Sequence, residues 1–259
     1  MPDSHILPVT INGIGAVMYV DNGCTSCFIR YERAQLLGML WYMVDRLNVQ
    51  LFMWSQVKIF HMYVVKNVPV QIKGGPLFLL NGLVFPKGET PSHVLDIMLD
   101  NGTLRKLGVI QSFHRNHSTL YFPSNDLIYA SKKEDCPMQY VIKGYLSSPK
   151  VATQVIIHMD SGASTLFVSK RCMSLLNRTL PPRHINMLIR NKLWLHTNGL
   201  IKLAGNNAHD IVFGYQFLSR NNFILDYKNL KMYLKVNGQY YESKLSAELV
   251  ALNEGKENK

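Results

Sequence analysis

Two acidic residues of this 259-residue chain stand in nearly the same surroundings. Val17 to Ile29 reads VMYVDNGCTSCFI, and Ile156 to Val168 reads IIHMDSGASTLFV. Each is a hydrophobic run, an Asp, a small polar residue, a Gly, a small residue and a second hydrophobic run. The acids are Asp21 and Asp160, 139 positions apart. A single Asp-x-Gly is ordinarily just a turn. Two of them admit chemistry, because carboxylates held about 3 Å apart cannot both ionise and so share a proton. Such a pair takes a proton from water and gives one to a carbonyl oxygen, which is what hydrolysis without a metal or a covalent step requires.

Other chemistry-bearing residues are weaker. Cys24 and Cys27 form a Cys-x-x-Cys, while Cys136 and Cys172 stand alone. A zinc site would need a second close pair, and a redox dithiol a helix N-terminus. Tyr19-Val20 and Phe28-Ile29 on either side read as strand, so Cys24 and Cys27 read as small buried thiols. His114 and His117 have no third ligand nearby in sequence and read as surface residues. No metal site and no cofactor is expected. Trp41, Trp54 and Trp194 read as core or flap anchors rather than a base-stacking platform.

The elements that would position the two acids also recur. Asp96 to Phe113 reads DIMLDNGTLRKLGVIQSF and Asp210 to Tyr227 reads DIVFGYQFLSRNNFILDY. In register they share Asp-Ile, further apolar residues, Leu104 with Leu218, Val109-Ile110 with Phe223-Ile224, and Phe113 with Tyr227. Each then enters a short strand, Ser118–Phe122 or Lys231–Leu234. The order is the same twice: strand, Asp-x-Gly loop, strand, variable middle, apolar triplet, short helix, strand. A repeated order of elements is the mark of an internal duplication. Copy one spans 5–130 and copy two 137–240, joined by the charged Ser131–Asp135. A tail, 243–259, follows, with a helical turn at Ala247–Leu252. The middle of copy one is 25 residues longer, 79 against 54. It holds Ala34–Met53, which reads as an additional helix, and Gly turns at Gly74-Gly75 and Asn81-Gly82. In copy two the corresponding hairpin is Lys192–Leu203, with Thr197, Asn198 and Gly199 at its tip.

A hydrophobic strand feeding Asp160-Ser161-Gly162-Ala163-Ser164 resembles the active-site loop of the retropepsins, the retroviral and retroelement aspartic proteases. Ile211-Val212-Phe213-Gly214 running into a short helix resembles their second signature. The resemblance covers most of copy two and both ends of copy one. It implies an all-β, acid-protease-like fold of two pseudo-symmetric lobes, with six to eight strands and a short helix in each. It implies an aspartic endopeptidase that acts on polypeptides, such as a viral or retroelement polyprotein. Asp160 and Asp21 become the catalytic pair, paired within one chain, with a homodimer on two copies of Asp160 as the fallback. Ser161, Gly162, Ala163 and Ser164, with Asn22 and Gly23, become the active-site loops. Thr197, Asn198, Gly199, Gly74 and Gly75 become flap positions. Copy one departs from the pattern. Asn22 replaces the hydroxyl residue, Cys24 the usual Ala, and Asp100 stands where the family has Gly, opposite Gly214 of copy two. Leu99-Asp100-Asn101-Gly102-Thr103 mimics the loop, but Leu104–Leu107 after it reads as helix.

Composition bounds the rest. At 47% apolar the chain can bury a core, and four cysteines do not make a disulfide scaffold. Residues 1–135 carry 12 Lys/Arg against 10 Asp/Glu, and residues 136–259 carry 16 against 7. That basic second half suits an acidic partner or nucleic acid. Its densest stretch, Arg178, Arg183, His184, Arg190 and Lys192, reads first as a solvated loop. A retropepsin-fold module binding a partner or RNA is thus the alternative to an enzyme. Asp45, Arg46, Asn48 and Gln50 would be costly in lipid, and the first fifteen residues do not read as a secretory signal. The expectation is an intracellular, cytoplasmic chain with no membrane partner.

Overall fold

Apolar residues at every second position set the strands. In Leu77–Val84 the buried positions alternate strictly with partly exposed ones. Residues 5–53, 56–92, 94, 96–114, 117–123, 138–147, 152–176, 185–189, 193–196, 201–203 and 209–249 are described by a computed structural model. It is mostly β. The first half runs β1 (His5–Ile11), β2 (Ile14–Val20), β3 (Phe28–Ile29), α1 (Tyr31–Leu36), a 3-10 turn (Met39–Tyr42), β4 (Met43–Met53), β5 (Gln56–Ile72) and β6 (Leu77–Val84). It continues with β7 (Ile97–Leu99), α2 (Asn101–Lys106), β8 (Ile110–His114) and β9 (His117–Tyr121). The second half runs β10 (Met138–Ser147), β11 (Ala152–Asp160), β12 (Leu166–Val168), α3 (Lys170–Leu175), β13 (Asn186–Ile189), β14 (Leu193–His196) and β15 (Ile201–Leu203). It ends with β16 (Ile211–Gly214), α4 (Tyr215–Arg220), β17 (Phe223–Asp226), β18 (Lys231–Val236), β19 (Gln239–Lys244) and β20 (Ser246–Leu249).

The same pairings occur in both halves. β1–β2 and β10–β11 are antiparallel hairpins. β2–β7 and β11–β16 are parallel, β3–β7 and β12–β16 antiparallel, and β3–β6 and β12–β15 parallel. A third sheet, ordered β19-β18-β17-β8-β9, draws strands from both halves. Its central pair, β8–β17, is antiparallel with Gln111 opposite Leu225, Ile110 opposite Asp226 and Ser112 opposite Ile224. The pairing is symmetric about Gln111 and Leu225, the two residues that the sequence repeat aligns. The main core runs through both halves, with Tyr140 and Tyr227 rings 5.2 Å apart in it.

Several expectations are corrected. Ala34–Met53 is not one helix. α1 ends at Leu36, Gly38 takes the left-handed conformation (φ 66°) that stops helices, and a strand begins at Met43. The reason lies in period: Leu47, Val49 and Leu51 alternate with Arg46, Asn48 and Gln50, which is strand spacing under a helix-like composition. A second helix besides the one after the apolar triplet occurs in each half, as α1 and α3, not in copy one alone. Among the described residues the halves carry nine and eleven strands, more than six to eight each. Asn81-Gly82 lies inside β6, not at a turn. A Cβ at Gly82 would stand 2.8 Å from Ile29 Cδ1 of neighbouring β3, so its glycine serves close packing. β14 pairs with β13 and β15 with β12, so Lys192–Leu203 is not a hairpin. Ser246–Leu249 is a strand against Met138–Val141 rather than a helical turn. Trp41 is 91% exposed and anchors no core. His114 and His117 are register partners in the β8–β9 hairpin. Ser131–Asp135 and the basic residues Arg178, Arg183, His184, Arg190 and Lys192 lie outside the described residues. None of the described helices is long and apolar enough to cross a membrane.

Candidate active site

Each acid sits at the end of a buried strand. Met18 and Val20 of β2 and Ile157 and Met159 of β11 are in the core. Asp21 and Asp160 follow on the next residues outward. Asp21 N donates to Leu99 O at 3.0 Å, and Asp160 lies in register with Gly214. After each acid the chain turns back on itself: Cys24 N donates to Asp21 O at 3.1 Å and Ala163 N to Asp160 O at 3.3 Å. The helix that follows each apolar triplet ties itself to the loop. Asn101 N donates to Cys24 O at 3.1 Å, and Tyr215 N to Ala163 O at 2.7 Å.

The two loops meet face to face. Asn22 N donates to Ser161 Oγ at 3.1 Å, and Ser161 N donates back to Asn22 Oδ1. Both residues are buried. Gly23 N donates to Asp21 Oδ1 and Gly162 N to Asp160 Oδ1, each at 2.9 Å. A Cβ on Gly23 would overlap the Asp160 carboxylate, and one on Gly162 would overlap that of Asp21. Each carboxylate therefore rests on the glycine of the opposite loop, and the two carboxyl groups interact directly. Burial raises the pKa of Asp21. Burial, and then the charge of Asp21, raise that of Asp160 to about 7. A proton held between two desolvated carboxylates has this electrostatic signature.

Other expected site residues fall variously. Ala163 is buried in an apolar cluster beside Asp160, and Ser164 is exposed, its carbonyl accepting from Gln216 N at 3.3 Å. Gly74 and Gly75 close the β5–β6 turn, where Lys73 N donates to Pro8 O. Pro8 pairs with Val17, four residues from Asp21 and so about 13 Å along the strand. They are not brought to the acids. Thr197, Asn198 and Gly199 lie outside the described residues.

Several contacts were not visible in the sequence. Cys24 Sγ donates to Asp21 Oδ2 at 3.2 Å. Asp100 caps α2 by accepting from Thr103 N at 3.0 Å, and accepts from Cys27 Sγ at 3.2 Å. Its side chain is thereby spent on its own helix and loop. Gly214 has no such room: a Cβ there would overlap Thr165 O and lie 2.6 Å from Ala163 O. The Tyr227 hydroxyl, next to the Asn22 amide, donates to Gln111 Oε1 at 2.7 Å. An apolar patch flanks each acid. Phe60, Met62, Phe85 and Met98 pack with Cys24 and Phe28 on one side, and Ala163, Phe167 and Val212 on the other. His158, two residues before Asp160, is buried with its Nε2 lacking a hydrogen-bond partner and its ring 5.1 Å from that of His209. Burial, then His209, hold its pKa down at about 3. Among the described residues no group of three or more His, Cys, Asp or Glu is placed to hold a metal ion.

No known family matches the sequence, and no curated protein does. Among solved structures, the chain is similar to the retroviral protease-like domain of Ddi1 from Leishmania major. The likeness has 15% identity and a TM-score of 0.29, over 41% of this chain and 75% of that one.

Proposed function

We propose that the chain is a single-chain aspartic endopeptidase of retropepsin type, two lobes descended from one by duplication, with Asp21 and Asp160 as its catalytic pair. One observation carries the reading: each carboxylate rests on the glycine of the opposite loop, clamped by the reciprocal Asn22–Ser161 hydrogen bonds. Asp100, in the position where the resemblance calls for Gly, is no obstacle, because its carboxylate is engaged by Thr103 and Cys27. With both acids in one chain, a homodimer is unnecessary.

In this mechanism one carboxylate is ionised and the other protonated. The water oxygen bonds to the peptide carbonyl carbon as a water proton passes to the ionised carboxylate. The protonated carboxyl gives its proton to the carbonyl oxygen, and a neutral diol results. The C–N bond then breaks as the nitrogen takes the proton from the first carboxyl. A diol hydroxyl returns its proton to the second, and the pair ends as it began. The flanking patches favour a substrate with apolar side chains on both sides of the scissile bond. The β4–β5 hairpin, whose Val49, Leu51, Phe60 and Met62 lie against the Asp21 loop, is the covering flap of the first lobe, in place of Gly74-Gly75. The test is a random decapeptide library incubated at pH 5 and read by mass spectrometry. Wild type should cleave it between apolar residues and Asp160→Asn should not. Equal cleavage by the variant would sink the assignment.

A further inference from the structure

Both the backbone amides and the side chains around Asp21 and Asp160 differ between the two loops. Gly23 N and Gly162 N each donate to the Oδ1 of their own loop's acid at 2.9 Å. Ala163 N adds a second amide to Asp160 Oδ1 at 3.0 Å. At Oδ2 the loops differ in a side-chain donor. Cys24 Sγ donates to Asp21 Oδ2 at 3.2 Å. The matching residue of the other loop is Ala163, which has no donor. Cys24 also stays a donor: burial first, then the charge of Asp21, push its thiol pKa well up, so the S–H proton is retained. A donor on one carboxylate favours the ionised form of that carboxylate.

We propose that Cys24 is a positioning residue that decides where the shared proton resides, keeping it on Asp160 and leaving Asp21 ionised. Its catalytic consequence rests on the peptidase reading: Asp21 becomes the base that takes the water proton, and Asp160 the acid that protonates the carbonyl oxygen. The asymmetry of the pair is a property of the resting protein and needs no substrate. Burial raises the pKa of both acids; Cys24 opposes the rise at Asp21 as the Ala163 and Gly162 amides do at Asp160, and the charge of Asp21 adds to the rise at Asp160.

The test follows the side-chain carboxyl 13C resonances of Asp21 and Asp160 against pH in the full chain. Asp21→Asn and Asp160→Asn identify each resonance by its loss. Because protons leave such a pair as a unit, Asp21 is also titrated alone in Asp160→Asn. In wild type Asp21 should ionise at lower pH than Asp160. Cys24→Ala installs the residue that the second loop already carries. It should raise the Asp21 midpoint by about half to one pH unit, about three- to tenfold in the protonation constant, in both backgrounds. Cys24→Ser, with a hydroxyl donor, should restore the separation. For the most rapidly cleaved decapeptide of the library, the acid limb of kcat/KM should move with the Asp21 midpoint. An Asp21 midpoint unchanged in Cys24→Ala, or not restored in Cys24→Ser, overturns the proposal whether or not any peptide is cleaved. A shift of the expected size in a protein that cleaves nothing supports the role of Cys24 and removes only the peptidase reading.

Discussion

At the scale of residues, the site depends on what Asn22 does that a shorter side chain would also have to do. Its Oδ1 accepts from the buried backbone N–H of Ser161, and its backbone N–H donates to Ser161 Oγ. Asn22→Ala leaves Ser161 N without an acceptor inside the protein, and an orphaned buried donor costs about 1–3 kcal/mol. Asn22→Thr keeps an oxygen on the side chain and should recover most of that loss. Urea melts of the two variants against wild type give the comparison. Equal stability of Asn22→Ala and wild type would mean that the clamp contributes nothing.

At the scale of elements, the helix after each apolar triplet must approach its loop closely, and the two halves solve this differently. At Gly214 a Cβ would meet the backbone carbonyls of Ala163 and Thr165, which cannot rotate away. Gly214→Ala should therefore displace the loop that carries Asp160, cost about 1–3 kcal/mol as overpacking does, and lower cleavage more than stability. Asp100→Gly removes a cap, at about a few tenths of a kcal/mol when Gly replaces it, and the acceptor of the Cys27 thiol, at about 1 kcal/mol more. Thermal melts and peptide cleavage of both variants check this; a Gly214→Ala protein as active as wild type would contradict it. The same elements show what was legible in sequence. The Asp-x-Gly loops, α2 and α4, and the strands around them could be read because the pattern occurs twice, and a repeat is visible without knowing any contact. β4 could not, because eleven apolar-rich residues invite a helix unless the period of Leu47, Val49 and Leu51 is weighed above composition. Asn81-Gly82 carried a turn's sequence, yet the packing of Gly82 on Ile29 holds it in a strand. The partners of Cys24, Asp100 and Tyr227 lie in contacts that sequence spacing does not encode.

At the scale of the whole molecule, the acids and His158 make opposite demands on pH, and the sign of each can be worked out. Asp160 has a folded pKa of about 7, against about 3.9 unfolded. The folded state holds that proton more tightly, so its stabilisation is present below about pH 4 and is lost as pH rises to about 7. Asp21 shifts in the same direction. His158 is depressed to about 3 from about 6.5 unfolded. Here the unfolded chain holds the proton more tightly, so stability is lost as pH falls from about 6.5 towards 3. One proton changes the unfolding free energy by about 1.4 kcal/mol per pH unit, and over pH 4–6.5 Asp160 and His158 oppose each other almost fully. Removing either should expose the other. In His158→Leu, stability should fall as pH rises from 4.5 to 6.5, relative to wild type. In Asp160→Asn, it should rise over the same range relative to wild type, because the His158 slope is no longer offset. Urea midpoints at pH 4.5, 5.5 and 6.5 for the three proteins decide it, and taking differences from wild type cancels the titrating groups that do not interact with the replaced one. Parallel pH profiles in all three would show that neither group is desolvated as its surroundings imply. On the proposed peptidase reading, cleavage needs one proton on the pair and should in wild type disappear as pH rises through about 7, even where the fold is still intact.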